Sequence, residues 1–221
     1  MRYALKVKKN IYIVLSASII TAANAYAADT IEVSSWDELT AAITNPDNAD
    51  KTISLTEDII ANKQLYVTTP GVTINGNNHT INSPEQNKGQ RIFALTSDTL
   101  ITPEANPINF ININVNNAFY TNPNFAEAAV FYIGKDVLIG TIAGTFANNR
   151  VETTASAHGG TIKNFGHIQN ISGEFIGNQA ISNNNEAAGG AISSVFEGNH
   201  TYNRTSEHLE NDTASVSAGG V

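Results

Sequence analysis

The sequence predicts an all-β protein, a right-handed parallel β-helix (a solenoid) that begins with one short capping helix. Three observations indicate this fold. Apolar and polar residues alternate from Lys51 onward, turns rich in Asn, Gly and Pro interrupt these runs, and short motifs return at nearly constant spacing. Strands and turns repeated every roughly 20 to 30 residues are typical of solenoids, because each cycle buries its apolar face only against its neighbours.

The N-terminal segment, residues 1–27, has the pattern of a secretory signal peptide. A basic start from Arg2 to Lys9 precedes a mostly apolar run over residues 11–23, and Ala25 and Ala27 are the small residues that a signal peptidase requires. We expect cleavage between Ala27 and Ala28, and therefore export. An uncleaved membrane anchor is the alternative, although the apolar run is shorter than a helix that spans a bilayer.

The chain after the predicted signal peptide is strongly acidic. Four of the 12 basic residues lie before residue 28 and all 20 acidic residues follow it, so the formal net charge of the remainder is −12. A negative surface repels the phosphates of nucleic acids and of anionic lipids, so we expect neither as a partner. The chain has no cysteine, so its stability does not depend on disulfides. We expect no cofactor and no metal, since the five histidines lack the spacing of a metal site.

Residues 28–50 predict a short strand followed by a capping helix. Thr30–Val33 alternates like a strand, and Ser35 with Glu38 matches the Ser-x-x-Glu pattern of a helix N-terminus. We expect the apolar face of this helix to cover the first turn of the solenoid. The residues on that face are Trp36, Leu39 and Ile43.

The β-helix is predicted over residues 51–221. Its firmest spacings are those from Gly159 to Gly189 and from Phe146 to Phe175, which are nearly equal. We expect the glycines to turn corners in the left-handed backbone region and the phenylalanines to stack in the bore of the coil. Counting one strand per cycle, with centres near residues 53, 73, 93, 112, 131, 161, 191 and 220, predicts seven or eight coils.

Two tetrapeptide motifs recur with these cycles. Gly-Gly-x-Ile occurs at residues 159–162 and returns as Gly-Gly-Ala-Ile at residues 189–192, while Phe-x-x-Asn occurs at residues 146–149, 175–178 and 196–199. We expect the Ile side chains to point inward and the Asn side chains to form a hydrogen-bonded ladder at one corner. The residues of these motifs are Phe146, Asn149, Gly159, Gly160, Ile162, Phe175, Asn178, Gly189, Gly190, Ala191, Ile192, Phe196 and Asn199.

These motifs resemble those of bacterial surface proteins. The segment from Ile31 to Asn82 is similar to the start of pectin-lyase-like right-handed β-helices, and the phased tetrapeptides resemble those of autotransporter passengers and chlamydial polymorphic outer-membrane proteins. Together the resemblances cover residues 31–221. They imply an exported, surface-displayed adhesin or stalk of a Gram-negative bacterium, with an unidentified cell-surface receptor or glycan as its partner.

The resemblance also implies a C-terminal translocator barrel. The sequence ends at Val221, where another Gly-Gly-x-Ile motif begins, and no alternating barrel strands follow. We therefore expect a fragment, a truncated product, or a passenger separated from its anchor. Strand edges left uncovered at this end predict end-to-end self-association.

A polysaccharide lyase or hydrolase on the same fold is the alternative function, and an inert spacer is a third. Catalysis on this fold needs carboxylates grouped on neighbouring strands. The strands compared for this purpose contain no Asp or Glu, so the sequence predicts no enzyme and no catalytic residue. We interpret Arg91 and Lys163 as outward-facing solubilising charges, and the aromatic-rich segment Asn114–Phe131 as filling the bore or covering the coil. The compared strands are residues 72–75, 91–95, 110–113, 129–132 and 159–163.

Overall fold

The computed structural model of the protein describes residues 29–83, 89–96 and 106–194, together with two strands at 203–210 and 213–216. Over these residues the protein is a parallel β-solenoid with one short helix near its N-terminus, so the predicted fold class is confirmed. None of the helices in this part of the chain is both long and apolar enough to cross a membrane. The predicted cleavage site at Ala27 and Ala28 lies outside the described residues.

The described residues form one α-helix and a series of short strands, the first of which precedes the helix. Helix α1 spans Trp36–Thr44, and a 3-10 helix follows at Pro46–Asn48. The strands, in chain order, are β1 (Thr30–Val33), β2 (Thr52–Leu55), β3 (Ile59–Ile60), β4 (Leu65–Tyr66), β5 (Thr73–Asn75), β6 (Thr80–Asn82), β7 (Phe93–Leu95), β8 (Ile108–Asn116), β9 (Phe119–Thr121), β10 (Phe125–Glu127), β11 (Phe131–Ile133), β12 (Leu138–Ala147), β13 (Arg150–Thr153), β14 (Ser156–His158), β15 (Ile162–Asn164), β16 (His167–Ile176), β17 (Gln179–Ser182), β18 (Ala187–Ala188), β19 (Ile192–Ser194), β20 (Asn203–Glu210) and β21 (Thr213–Val216).

The strands form four parallel sheets that run along the solenoid. Sheet A has nine strands, with the central order β1-β2-β5-β8-β12-β16-β20 and with β3 and β6 paired beside it. Sheet B has five strands in the order β4-β7-β11-β15-β19, sheet C has four (β9-β13-β17-β21) and sheet D has three (β10-β14-β18). From β8 onward the chain therefore visits sheets A, C, D and B in every turn.

The predicted number of coils is wrong. From β8 onward, where the chain visits all four sheets, the described solenoid has about 4 turns, and the shorter strands β1, β2 and β5 stack before them in sheet A. The strand centres near residues 93 and 112 lie in sheets B and A, and Phe93 pairs directly with Phe131 one turn later. Counting one strand per cycle therefore counted two sheets of the same turn as successive turns. The error arose because strands of different sheets have the same alternating pattern.

Helix α1 closes the N-terminal end of the bore. The Oγ atom of Ser35 accepts a hydrogen bond from the backbone N–H of Glu38 at 3.2 Å, as the capping pattern predicts. The apolar face of the helix is buried, and the ring of Trp36 lies 5.9 Å from that of Phe93. The helix therefore continues the apolar core of the coil and shields its first turn from water.

Aromatic rings form a continuous column along the bore. The ring centroids of Phe93 and Phe131 lie 5.3 Å apart in a stacked arrangement, and those of Phe146 and Phe175 lie 5.0 Å apart. Phe110 contacts both Phe93 and Phe131 and joins the column from sheet A. Such aromatic pairs contribute about 0.5–1.5 kcal/mol beyond the burial of their area. The column holds successive turns in register and leaves the outer faces free for other roles.

Candidate functional site

The repeated glycines lie at the corner between sheets D and B. Gly159 and Gly189 have φ angles of +65° and +64°, in the left-handed region that favours glycine. A Cβ atom on Gly160 would lie 2.0 Å from the carbonyl oxygen of Gly190, so neighbouring turns approach closely here. This corner brings the end of sheet D next to the start of sheet B in every turn.

The remaining repeat residues in the described part of the chain pack against their counterparts. Ile162 is fully buried and pairs with Ile192, and Ala191 accepts a backbone hydrogen bond from Thr161 at 2.9 Å. Asn149 and Asn178 are buried side by side at the corner between sheets A and C. Phe196 and Asn199 lie outside the described residues. None of the described repeat residues takes part in the charged cluster described next.

A charged cluster lies at the corner where sheet D meets sheet B. The Nζ atom of Lys163 lies 3.7 Å from Oε1 of Glu127, and the two side chains are only 4% and 8% exposed. Lys163 also donates a hydrogen bond to Oγ of Ser193 on the next turn at 3.2 Å. The pair joins two turns, because Lys163 is in register with Tyr132, which follows Glu127 in the same turn.

Arg91 supplies a second cation to this cluster. Its Cζ atom lies 4.4 Å from the ring centroid of Tyr132 and 4.8 Å from that of Tyr120, so the guanidinium contacts both rings. The positive charge of Arg91 acts to lower the pKa of the carboxyl group of Glu127. The Nε atom of Arg91 is buried without a hydrogen-bond partner, as is Oε1 of Glu127. We call Arg91, Glu127, Tyr132, His158 and Lys163 the corner cluster.

Aromatic side chains surround the corner cluster. Phe125 is 45% exposed and its ring lies 5.7 Å from that of His158, which is paired in register with Glu127. The ring of Phe165 lies 5.7 Å from Tyr132 and 4.9 Å from the Nζ atom of Lys163. The cluster is therefore a mixed site, in which charged groups lie beneath a partly exposed aromatic surface.

Burial shifts the titration of several groups in the corner cluster. Burial raises the pKa of Glu127 above its ordinary value, although the charges of Lys163 and Arg91 act to lower it. Burial lowers the pKa of Lys163, although the charge of Glu127 acts to raise it. Burial also lowers the pKa of His158, and the charge of Lys163 acts in the same direction. The pKa of Tyr132 is raised by burial and by the charge of Glu127. All four shifts favour the uncharged forms.

The interpretation of Lys163 as a solubilising charge is wrong, and that of Arg91 is wrong in part. Lys163 is buried, and Arg91 is half-buried against two tyrosine rings. The five strands compared contain no carboxylate, but β10, which was not among them, ends in Glu127. Sequence reasoning missed this residue because the strands compared end at residue 113 and resume at residue 129. The alternation of Phe125, Ala126 and Glu127 was a weak signal for the strand.

Segment Asn114–Phe131 forms parts of four strands rather than a long loop. Phe131 is fully buried in the bore and Tyr120 is 9% exposed, as expected for rings that fill the coil. Phe125 differs, since nearly half of its surface is exposed. The segment therefore contributes both to the core and to the aromatic surface above the corner cluster.

The corner cluster does not have the composition of a metal site. Over the described residues, no three His, Cys, Asp or Glu side chains are grouped to hold a metal ion. Glycoside hydrolysis uses two carboxyl groups, one as acid and one as base or nucleophile. Glu127 is the one carboxylate among the five residues of the cluster and is buried, and the charge of a second carboxylate, Glu186, acts on His158 and Lys163. The cluster can form ion pairs, hydrogen bonds and aromatic contacts.

Comparison with known proteins identifies a family. A family model with the description "Putative pectate lyase-like adhesive domain" matches residues 30–193. This range contains helix α1, nearly all of sheet B and the whole corner cluster. No curated protein and no solved structure matches the chain significantly.

Proposed function

The chain belongs to the family of pectate lyase-like adhesive domains, and from this premise we propose that it is an exported cell-surface solenoid that binds a glycan without cleaving it. The binding surface in this proposal is the outer face of sheet B with the adjoining edge of sheet D. The adhesive description of the family supports the binding role. The substrate class and the location of the ligand are inferred from the geometry of the surface.

One observation carries the location of the proposed surface. Tyr66, Ala94, Tyr132, Lys163 and Ser193 occupy equivalent positions on the five strands of sheet B, so they form a straight row along the solenoid. Tyr66 is 51% exposed at one end of this row. Parallel strands lie about 4.7–4.9 Å apart, which is close to the length of one sugar ring. A glycan chain lying along the row would therefore meet a new strand with each sugar.

Aromatic rings and polar groups on the row and on the adjoining edge of sheet D match the chemistry of a sugar. Tyr66 and Phe125 offer exposed ring faces, on which the apolar face of a pyranose stacks. The half-buried Tyr132 and His158 offer hydrogen-bonding groups between them. A ligand pocket typically combines apolar surface with a few polar groups in this way.

The proposed absence of cleavage rests on the burial of Glu127 and Lys163. A general acid or base has to come within hydrogen-bond distance of the reacting atom. Glu127 is 6% exposed and Lys163 is 3% exposed, and each is directed towards the other rather than towards solvent. A lyase remains the alternative, because burial lowers the pKa of Lys163 and a lysine with a lowered pKa is suited to proton abstraction.

The binding surface is tested with the exported full chain on a panel of neutral and acidic glycans. We expect Phe125→Ser and Tyr66→Ser each to weaken binding at least about tenfold, since each removes one stacking platform. Ile60→Ser is the matched control, because Ile60 is 60% exposed but lies on β3 of sheet A. Equal affinity for all three variants and the unchanged protein contradicts the proposed surface.

The same glycans decide between binding and cleavage. After incubation with the protein, new reducing ends report hydrolysis and new unsaturated ends report elimination. Binding without either product supports the adhesive function. Product formation that is lost in Lys163→Met favours the lyase alternative.

The proposed export has its own test. The basic and apolar pattern of residues 1–27 supports a cleaved signal peptide, and the adhesive family description is consistent with a surface location. The phased Gly-Gly-Ala-Ile and Phe-x-x-Asn motifs support the narrower proposal of an autotransporter passenger in a Gram-negative bacterium. N-terminal sequencing of the exported chain should begin at Ala28, whereas a start at Met1 contradicts cleavage.

A further inference from the structure

The contact between Lys163 and Glu127 is close but is not a hydrogen bond. Their nearest N and O atoms are 3.7 Å apart, which is too far for a hydrogen bond. The Oε1 atom of Glu127 is buried and has no hydrogen-bond partner. A buried carboxylate oxygen without a hydrogen bond is costly, because it has lost its hydration without replacement. The arrangement is therefore a poor site for a simple ion pair.

Burial of the pair favours the neutral amine and the neutral acid. Both side chains are almost completely shielded from water, whereas the ring of Phe165, 4.9 Å from the Nζ atom, favours the ammonium form of Lys163. Burial lowers the pKa of Lys163 and raises that of Glu127, so each shift opposes the charged form. An amine with a free electron pair and a protonated carboxyl group are the two reactants of amide formation.

We propose that Lys163 and Glu127 condense into an intramolecular amide that links two turns of the solenoid. The electron pair on Nζ of Lys163 attacks Cδ of Glu127 and forms the new C–N bond. One C–O bond of the carboxyl group then breaks, and its oxygen leaves with two protons as water. No oxidant, reductant or further reactant takes part, so the atoms and charges balance.

Two neighbours are placed to assist this condensation. The guanidinium of Arg91 acts on the carboxyl group of Glu127 and stabilises the negative oxygen of the tetrahedral intermediate. His158 is in register with Glu127 on the next strand, where its neutral imidazole takes a proton from the nitrogen and returns it to the leaving oxygen. Intramolecular reactants can reach effective concentrations of roughly 10⁵–10⁸ M, and the exclusion of water from the buried pair disfavours hydrolysis of the amide.

The bond would have a mechanical consequence for a surface protein. Glu127 ends β10 in sheet D, and Lys163 lies in β15 of sheet B one turn later. A covalent link between these turns prevents them from separating when the solenoid is pulled along its axis. It also consumes the carboxyl and amino groups that acid–base catalysis would need. The inference goes beyond the proposed glycan binding and does not depend on it.

The mass of the purified, unmodified chain tests the proposal. We expect the folded protein, after denaturation, to be lighter than its sequence by one molecule of water. Proteolysis should yield one branched peptide that contains both Glu127 and Lys163. A chain with its full sequence mass and only linear peptides overturns the proposal, whether or not the protein binds a glycan.

Lys163→Arg is the matched control variant. It retains the cation beside Glu127, but a guanidinium does not attack a carboxyl group. We expect this variant to have its full sequence mass and to unfold at a lower temperature than the linked protein. A water deficit that persists in Lys163→Arg places the dehydration elsewhere and overturns the proposal. Because the unmodified chain is measured first, a variant that fails to fold leaves the test intact.

Discussion

The side chain of Asn178 accepts a hydrogen bond from the backbone N–H of Asn149, one turn earlier, at 3.0 Å. Its Nδ2 atom donates to the carbonyl oxygen of Phe146 at 2.9 Å, so one amide satisfies two buried backbone groups. Asn149 repeats the arrangement one turn earlier with Ala118 and Val115. The corner between sheets A and C is thus held by a ladder of asparagines, each completely buried.

Loss of one side-chain amide from this ladder should lower the free energy of unfolding. Asn178→Ala removes the hydrogen bonds to the Asn149 N–H and to the Phe146 carbonyl, and a buried backbone group left without a partner costs about 1–3 kcal/mol. We expect the free energy of unfolding to fall by at least about 2 kcal/mol in chemical denaturation. Asn184→Ala is the control, because Asn184 is exposed. A similar small change in both variants contradicts the structural role of the ladder.

The stack of Phe146 on Phe175 should couple adjacent turns. Phe146→Ala removes a fully buried ring, and such substitutions cost about 3–5 kcal/mol. Phe125→Ala, at an exposed position, should change stability by less than about 0.5 kcal/mol. In a double-mutant cycle with Phe175→Ala we expect a coupling energy of about 0.5–1.5 kcal/mol. Strict additivity of the two changes would mean that the rings do not stack in solution.

The corner glycines should differ in their tolerance of alanine. In Gly159→Ala the new Cβ would lie 2.0 Å from the carbonyl oxygen of Ile162, on a residue with a φ angle of +65°. The left-handed conformation alone costs a residue with a Cβ about 1–2 kcal/mol. Gly134→Ala is the comparison, because its Cβ would approach no closer than 3.1 Å to Leu95. We expect a clearly larger fall in melting temperature for Gly159→Ala, and the reverse order contradicts the assigned corner.

Acid should destabilise the protein through His158. Burial is the largest influence on His158 and lowers its pKa below the ordinary value of 6.5, against the smaller opposing effect of the charge of Glu186. The unfolded chain therefore binds this proton more readily than the folded one. The stabilising contribution is complete above pH 6.5 and is lost as the pH falls through the lower folded value. Relative to His158→Gln, the unmodified protein should lose stability as the pH falls from about 7.5 to about 5. These values lie about one unit above and about 1.5 units below the ordinary pKa of 6.5.

Denaturation curves of both proteins at each pH measure this effect. The glutamine variant is the control, since it keeps a polar side chain but does not titrate. A difference in unfolding free energy that is independent of pH contradicts the assigned environment of His158. A difference that grows in the opposite direction, with acid stabilising the unmodified protein, contradicts it as well.

The sequence alone determined the class of fold and part of its register. Alternating apolar residues and turns indicated parallel strands stacked in a coil, and the pattern from Ser35 to Ile43 indicated the capping helix. The pairing of Phe146 with Phe175 could be expected because each begins a Phe-x-x-Asn motif, and the structure places the two in register in sheet A. Local pattern is sufficient for such features, since alternation and capping depend on near neighbours.

The tertiary structure alone decided the number of turns and the corner cluster. Alternation within a strand carries no information about which sheet the strand joins, so strands of sheets A and B were counted as successive turns. Lys163 gave no signal of burial, because its partner Glu127 lies on another strand in the preceding turn. The environment of a charged side chain depends on groups that are distant in sequence. For this reason the corner cluster could be recognised only in the structure, where the coil brings sheets D and B together.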